Sequence, residues 1–284
     1  MKLIKPSFEI YEQGPGLDGI YEAIERAGRT CYKSKRPEGQ TAKDFVDRMI
    51  ASQHYAMLEH GTVYLTIRGV FKPFAGPSNF GKYLDNPYSK VVFGEGTTFY
   101  ITTNYRVLVE NGWLDDLKYL CEPTEFHEKR ATVRFTTDRG VSHEFVRHRV
   151  FSFAQESTRY CNYSKDKFGN ELTFIIPSWM NSNEQSINTK QGFGLNPGEE
   201  LFAFLGKSER HYFKLLELGW TPQQARQILP NALKTELVMT GFVSDWQHFF
   251  DLRARGTTGA PQPDARALAK PLMQEFIKRG LING

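Results

Sequence analysis

The sequence predicts an α+β fold: a single mixed domain, residues 1–284, in which helices pack on a mostly antiparallel sheet. Helical and strand-like patterns follow one another irregularly along the chain, whereas a doubly wound α/β fold would alternate them. No GxGxxG follows a predicted strand and no GxxxxGKS/T occurs, so neither common phosphate-binding loop is present. Of the 284 residues, 40% are hydrophobic and 14% aromatic, which is enough for a substantial core.

The first half of the chain should contain three helices and three strands. An apolar stripe predicts a helix over about 19–28. Thr41, with Asp44 three residues later, resembles a capping box for a helix over about 42–52. The region from 69 to about 96 is rich in Gly, Pro, Asn and Ser and looks like an excursion from the main fold. The remaining predicted elements are a helix over 105–119 and strands over 62–67, 97–103 and 131–137.

The second half is predicted to be mainly helical. Pro197 should open a long amphipathic helix that stops at Gly219. Thr221 is a typical N-cap, followed by proline and, three residues after the cap, by Gln224, for a helix that lasts until Pro230. The other predicted elements are strands over 172–176 and 236–242, a polar loop over 181–196, a helix capped by Ser244 that runs to 253, and a helix over 263–280.

Composition and charge fit an ordinary soluble globular protein. The net charge of +4 is too weak to imply nucleic-acid binding by itself, but it is compatible with anionic small-molecule substrates. The N-terminus lacks the apolar core of a signal peptide, and no stretch approaches the roughly 18 apolar residues of a membrane span. Three cysteines without a CxxC pair fit a reducing compartment. We therefore expect a cytoplasmic protein that binds neither membranes nor nucleic-acid polymers.

The stretch from Arg147 to Tyr160 concentrates groups that can bind an anion. It holds three arginines, a histidine, a glutamate and four hydroxyl groups within fourteen positions. Guanidinium groups make bidentate contacts to phosphate, and interleaved apolar residues would hold them in place. A short helix over 140–149 should deliver the first two arginines, with a loop through Ser157. This stretch predicts an anion-binding site, and a solvated loop with incidental salt bridges is the alternative.

Histidines and serine give weaker signals. His54 and His60 are six residues apart and His143 and His148 are five apart, so neither pair has the spacing of a helical zinc pair, and we expect no metal site. Ser157 lacks the GxSxG setting of a catalytic nucleophile. It is better interpreted as a hydroxyl that binds a ligand.

Two distant arginines, Arg226 and Arg253, lie on predicted helices among apolar residues. Each could extend its cation into solvent, as long side chains beside an apolar stripe often do. Alternatively, both point into a pocket shared with the arginine-rich stretch. The sequence leaves these two alternatives open.

Arg147-His148-Arg149, seven further residues and then Ser157 match the RHRx7S signature of the flavin-dependent thymidylate synthases. Other segments resemble elements of that family: the two-histidine segment 54–60, the ARxxLP helix at 225–230 and the LR element at 251–253. These resemblances cover most of the chain, with a longer insertion, over about 69–130, than compact members carry.

The resemblance implies an enzyme that makes dTMP from dUMP. In that family methylenetetrahydrofolate donates the carbon, reduced FAD donates the hydride and NADPH re-reduces the flavin. Preorganised arginines, rather than a cysteine nucleophile, would polarise the uracil. The resemblance also implies a homotetramer with active sites between subunits.

The same resemblance implies roles for individual residues. Arg253 would be the catalytic residue, lying at the uracil ring and favouring its N3-deprotonated form. The residues expected to bind dUMP are Glu144, Arg147, Gln155, Glu156, Ser157, Thr158, Arg159, Arg226 and Arg253. The residues expected to bind FAD are His54, Arg147, His148, Arg149, Gln155 and His248.

Some positions depart from the family pattern. Residues 154–156 stand where many members read Asn-Glu-x, so either Gln155 or Glu156 takes the role usually given to a glutamate. Phe242 and Ser244 stand where the family has polar flavin contacts, and His248 stands where an asparagine is common.

Two alternative functions belong to other classes. A non-catalytic nucleotide- or RNA-binding module could use the same arginines, and it would prefer oligonucleotides and bind them with steep salt dependence. A metal-dependent hydrolase built on the histidines would require stoichiometric metal.

Overall fold

A four-stranded antiparallel sheet forms the centre of the fold. The computed structural model describes residues 1–68, 80–180 and 196–283. Its strands are Lys2–Ile4 (β1), Ser7–Tyr11 (β2), Thr62–Arg68 (β3), Lys90–Phe93 (β4), Thr98–Asn104 (β5), Arg130–Asp138 (β6), Ser152–Gln155 (β7), Thr173–Ile175 (β8) and Lys234–Phe242 (β9). The central sheet has the order β2–β6–β9–β7, and all neighbouring strands are antiparallel.

Helices cover both faces of this sheet. The helices of the described residues are Gly16–Tyr32 (α1), Ala42–Ala51 (α2), Gly81–Leu84 (α3), Tyr105–Glu110 (α4), Arg139–Phe145 (α5), Pro197–Glu217 (α6), Pro222–Ala225 (α7), Val243–Phe250 (α8) and Pro263–Lys278 (α9). A π-helical turn, Asp251–Arg255, continues α8, and short 3-10 helices lie at Tyr55–His60, Leu114–Tyr119, Asp166–Phe168 and Arg226–Ile228. Across the described ranges, none of the helices has both the length and the apolar character needed to cross a membrane.

Strand β9 sends alternate side chains to the two faces of the central sheet. Leu237 and Met239 are buried on one face, in a core with residues of α5, α8 and α9. Val238 lies on the other face, packed with Ala27 of α1 and Ala154 of β7. Because both faces are covered, β9 is buried at all but its first residue.

A second sheet, in the order β3–β5–β4, packs on α1 and α2. Strand β5 pairs with β3 along its whole length, from Thr62 opposite Asn104 to Arg68 opposite Thr98. Part of the predicted insertion therefore completes a sheet that begins before it. Residues 69–79 of the predicted excursion lie outside the described residues.

A third core lies around a short parallel pair, β1 and β8. Phe174 of β8 is buried there with Phe202 and Tyr212 of α6 and with Ala225 of α7. This core supports α7 and the 3-10 helix that follows it. The predicted loop over 181–196 lies outside the described residues, except for Asn196.

The helix starts predicted from capping residues and prolines are confirmed. Thr41 Oγ1 accepts a hydrogen bond from the Asp44 backbone N–H, and the Asp44 carboxylate accepts one from the Thr41 backbone N–H at 2.7 Å. The Thr221 backbone N–H donates to Gln224 Oε1 at 2.9 Å. Pro197 opens α6 as predicted. These signals lie within one turn of the chain, so tertiary contacts do not decide them.

Several predicted boundaries are wrong. Residues 152–155 form β7 where a loop was expected, because β9 offers them an edge to pair with. The helix expected over 105–119 is interrupted at Gly112, whose φ of 68° is left-handed. Phe242, rather than Ser244, is the N-cap of α8. The helix after Thr221 changes to 3-10 geometry at residue 226, before the proline at 230.

The substitution Phe135→Ala should destabilise the protein by about 3–5 kcal/mol, because it leaves a cavity in the main core. The Phe135 ring is fully buried and contacts Phe145, Trp246 and Phe249. Phe204 on α6 is 52% exposed, so Phe204→Ala is a control that should change the free energy of unfolding by only about 0.5 kcal/mol. Urea titration measures both values. Equal losses would contradict this description of the core.

Candidate active site

The turn after α5 presents two exposed arginines on either side of a buried histidine. Helix α5 is capped by Asp138 and ends at Phe145, which is fully buried. Arg147 and Arg149 lie exposed in the following turns, whereas His148 is buried. Within the described residues, neither guanidinium group has a hydrogen-bond or ion-pair partner. Both are therefore available to an anionic ligand.

The π-helical turn brings Arg253 to this region from near the other end of the chain. Arg253 Nη1 donates to Glu144 Oε2 at 2.5 Å, and Nη2 donates to the Glu144 backbone oxygen at 2.9 Å. Arg253 Nε donates to His148 Nε2 at 3.2 Å. Arg253 thus joins the arginine-rich stretch and does not extend into solvent. Glu144, His148 and Arg253 are called the Arg253 cluster below.

The surroundings of His148 hold it in the neutral form. Burial lowers its pKa to about 4, and the nearby Arg253 and His248 act in the same direction. The His248 ring is exposed, with its centroid 6.2 Å from that of His148. Because Nε2 accepts from Arg253, the proton of the neutral ring lies on Nδ1. At neutral pH His148 therefore supplies an uncharged acceptor and not a further cation.

Gln155 and Glu156 point to opposite sides of the central sheet. Gln155 Nε2 donates to Ser142 Oγ of α5 at 2.8 Å, so its amide lies on the side of the Arg253 cluster. Glu156 is only 2% exposed and lies on the α1 side. Its carboxylate accepts hydrogen bonds from Tyr163 OH at 3.1 Å and from Lys234 Nζ at 2.7 Å. Of the two candidates for the glutamate role, Gln155 alone faces the Arg253 cluster.

At the end of β7 the chain turns away from the sheet. The Ser157 backbone N–H donates to the Cys31 carbonyl at 3.0 Å, and Ser157 Oγ accepts from the Arg159 backbone N–H at 3.3 Å. Thr158 is buried, whereas Arg159 is exposed. Arg159 Nε donates to Gln223 Oε1 of α7 at 2.7 Å. Residues 157–159 are called the Ser157 turn below.

Arg226 lies on the same surface as the Ser157 turn. It begins the 3-10 helix directly after α7, three residues beyond Gln223, and it is exposed. Since Gln223 holds Arg159, α7 brings the two arginines to one part of the molecule. Arg226 has no hydrogen-bond or ion-pair partner in the part of the chain that the structure describes. No hydrogen bond or ion pair of the described residues joins Arg226 to Arg253, so a pocket shared by both arginines stays a prediction.

His54 is separated from most of the other residues predicted to bind FAD. It is exposed and lines a cavity of about 420 Å³ together with Cys31 and Tyr32. The Tyr32 ring lies 5.0 Å from the Tyr160 ring, so this cavity adjoins the Ser157 turn. The arginines of the RHR motif and His248 lie at the opposite end of β7, which as a four-residue strand is about 13 Å long.

Among the other histidines and cysteines, His60, Cys31 and Cys161 lie in settings that favour their uncharged forms. In the described ranges, no group of three His, Cys, Asp or Glu side chains is placed to hold a metal ion. His60 is buried with Nδ1 2.8 Å from Thr240 Oγ1, and burial together with Arg130 lowers its pKa to about 3. Burial raises the pKa of Cys31, and it raises that of Cys161 to about 11. Neither thiol is ionised at neutral pH, and the thiolate is the nucleophilic form.

Lys234 and Tyr163 are candidate functional residues that the sequence did not indicate. Both contact the carboxylate of Glu156. Lys234 and Glu236 are two residues apart on β9, a spacing that could have indicated a charged strand face. The contact between Lys234 and Glu156 depends on the register between β7 and β9, which sequence patterns do not give.

Comparison with known proteins identifies the family of this chain. Residues 111–279 match the model of the family described as thymidylate synthase complementing protein. The chain is 33% identical over 243 residues to the flavin-dependent thymidylate synthase of Corynebacterium efficiens, covering 83% of this chain and 68% of that protein. It is 25% identical over 251 residues to the flavin-dependent thymidylate synthase of Corynebacterium aurimucosum, covering 86% and 72% respectively. The chain belongs to the flavin-dependent thymidylate synthase family.

The predicted family and enzyme class are thereby confirmed, and the strand and helix arrangement described above confirms the mixed α+β fold. A solved structure with some likeness is that of a UMP/dUMP methylase, PolB, from Streptomyces cacaoi bound with 5-Br UMP. It has a TM-score of 0.45 and 15% identity, and the match covers 98% of this chain and 92% of that one. A likeness this low gives no information about the ligands of this chain.

The free energy of unfolding should fall as the pH drops from about 6.5 towards 4. His148 and His60 have folded-state pKa values of about 4 and about 3, so the unfolded chain binds more protons than the folded chain in this window. Their contribution to stability is complete above the unfolded pKa, and it is lost progressively as the pH falls from that value to the folded-state pKa. Urea titrations at about pH 7 and pH 5 give the free energy of unfolding at each pH. The difference between the two values should be smaller for His148→Gln than for the wild type. His143→Gln, at an exposed position, is the control. If His148→Gln lost as much stability between pH 7 and pH 5 as the wild type, the lowered pKa of His148 would be contradicted.

Proposed function

We propose that this protein converts dUMP to dTMP, with methylenetetrahydrofolate as carbon donor, bound FAD as redox cofactor and NADPH as reductant. Family membership supports the proposal. The observation that carries it is the Arg253 cluster, in which a carboxylate and a neutral histidine fix an arginine at the position where the family resemblance implies the catalytic one.

Arg253 is oriented for electrostatic catalysis before any substrate binds. Glu144 holds two of its nitrogens and His148 holds the third. Those contacts use three of the five N–H donors of a guanidinium group, so two N–H groups are left for a ligand. In this role they would stabilise the negative charge that develops when the uracil ring loses its N3 proton. A donor that is already fixed needs no reorganisation during the reaction, which makes this kind of stabilisation effective.

The exposed arginines beside the Arg253 cluster fit a flavin dinucleotide. Arg147 and Arg149 are exposed and have no partner among the described side chains, and such guanidinium groups bind pyrophosphate strongly. His248 is exposed next to His148 and would add a polar edge to the flavin site. FAD would supply the hydride that completes the transferred methyl group, while the protein supplies orientation.

The Ser157 turn fits the phosphate of the nucleotide. Arg159 and Arg226 are exposed cations on one surface, and Gln223 limits the movement of Arg159. Ser157 adds a hydroxyl group, and the buried Thr158 anchors the turn by packing. Such an arrangement of two cations and a hydroxyl is suited to a phosphate monoester.

These two sets of residues lie at opposite ends of β7 within one chain. We therefore propose a homotetramer in which each active site combines groups from different subunits, and we propose that the enzyme acts in the cytoplasm. The apolar side chains of Val150 and Tyr160, which are 67% and 53% exposed, flank the two sets and would be covered by such interfaces.

The purified protein, reconstituted with FAD, NADPH, methylenetetrahydrofolate and dUMP, should form dTMP. Chromatography of the nucleotides measures the product, and flavin absorbance shows whether the cofactor is bound. Preparations from which NADPH or the folate donor is omitted are the controls. A protein with intact bound flavin that forms no dTMP would show the proposed reaction to be wrong.

Arg253→Ala should lower kcat by about 10²–10³ with little loss of flavin, because it removes a group that stabilises charge in the reacting uracil. Arg147→Ala should instead release FAD, because it removes a contact to the pyrophosphate. Arg255, in the same π-helical turn, is exposed and paired with Asp251 at 2.8 Å, so Arg255→Ala is a matched control that should change neither property. Equal loss of turnover and flavin in Arg253→Ala, or a fully yellow Arg147→Ala, would contradict these roles.

A further inference from the structure

We propose that Glu156 and Lys234 are positioning residues, a buried ion pair that fixes the Ser157 turn for nucleotide binding without touching the nucleotide. The proposal rests on the proposed function, because it names the residues that support the phosphate end of the same site. It replaces the expected role of Glu156 as a direct dUMP contact.

Both oxygens of the Glu156 carboxylate are occupied by groups of the protein itself. Oε2 lies 2.7 Å from Lys234 Nζ, and Oε1 accepts from Tyr163 OH at 3.1 Å. The side chains of Glu156 and Lys234 are 1% and 15% exposed, so water does not replace these contacts. The carboxylate is therefore engaged on the α1 side of the sheet, whereas Arg253 lies on the α5 side.

The pair belongs to a row of alternating charges. Lys234 Nζ also lies 2.9 Å from Glu236 Oε1, and Glu236 pairs in turn with Lys33 at the end of α1. Burial by itself would lower the pKa of Lys234, but the carboxylates of Glu156 and Glu236 raise it above its ordinary value. Lys234 is therefore positively charged at neutral pH, as an ion pair requires.

This row holds the start of the Ser157 turn from two sides. On one side, the Glu156 backbone N–H donates to the Glu236 carbonyl at 2.8 Å, which extends the β7–β9 ladder by one residue. On the other side, the next backbone N–H, that of Ser157, donates to the Cys31 carbonyl of α1 at 3.0 Å. The Glu156 side chain lies between these two backbone contacts. Its position therefore decides the direction in which residues 157–159 leave the sheet.

Replacing Glu156 or Lys234 alone should affect dUMP binding differently from replacing both residues together. Removing either member of a buried pair leaves an uncompensated charge, whereas replacing both with apolar side chains of similar volume is often neutral. Glu156→Leu and Lys234→Met should therefore each weaken dUMP binding, and the double variant should recover much of the affinity. If Glu156 contacted dUMP directly, Lys234→Met alone would have little effect and the double variant would bind no better than Glu156→Leu.

The experiment measures dUMP binding by calorimetry on the FAD-loaded enzyme, together with kcat, the KM for dUMP and flavin content. Each single variant should raise the Kd and KM for dUMP by about tenfold or more, with flavin content kept, and the double variant should return towards the wild type. Lys35→Met is the control, because Lys35 lines the same cavity of about 590 Å³ but is exposed and does not contact Glu156. A double variant without recovery would overturn the proposal.

Tyr163→Phe provides a milder test if the single charge variants do not fold. It keeps the ring, which is 5% exposed, and removes one hydrogen bond to Glu156. The KM for dUMP should rise about two- to tenfold, the equivalent of one lost hydrogen bond, while kcat and flavin content stay near wild type. An unchanged KM would overturn the proposal. A wild-type enzyme that binds dUMP but forms no dTMP would instead contradict the proposed reaction, because calorimetry still tests the positioning role.

Discussion

The pairing of β9 with both β6 and β7 is the constraint on which the rest of the structure depends. Successive residues of a strand point to opposite faces, so this register decides which side chains meet α5, α8 and α9 and which meet α1. A shift by one residue would exchange the positions of Gln155 and Glu156. The observed register places an uncharged amide on the side of the Arg253 cluster and a buried carboxylate on the other.

Burial explains why the basic residues of the site fall into two groups. Arg253 and Lys234 are largely buried, and each is paired with a carboxylate, because an unpaired charge that leaves water is costly. Arg147, Arg149 and Arg226 are exposed and keep their charges in solvent. The buried, paired residues can hold neighbouring groups of the site in position, and the exposed arginines can bind an anionic ligand. The chemistry proposed for the enzyme needs both groups, since a fixed arginine acts on the base while exposed ones bind phosphate groups.

Features encoded within a few neighbouring residues were predicted correctly from the sequence, whereas features that depend on distant segments were not. The caps at Thr41 and Thr221 and the RHRx7S motif are contained within a few residues, and they were read correctly as helix starts and as a family signature. Residues 152–155 lack a strong strand pattern of their own, and they become β7 because a neighbouring strand supplies the pairing edge. The π-helical turn at Asp251–Arg255, which aims Arg253 at Glu144, likewise has no signature in the sequence.

The sequence by itself determined the mixed α+β class, the family and the set of arginines from which an anion site could be built. The tertiary structure alone decided that Arg253 is held by Glu144 and His148, that Gln155 and Glu156 face opposite sides, and that Lys234 pairs with Glu156. Arg253 and Glu144 are 109 residues apart, and Lys234 and Glu156 are 78 apart. Such pairs form only when strand register and burial bring distant segments together, and local composition does not encode that register.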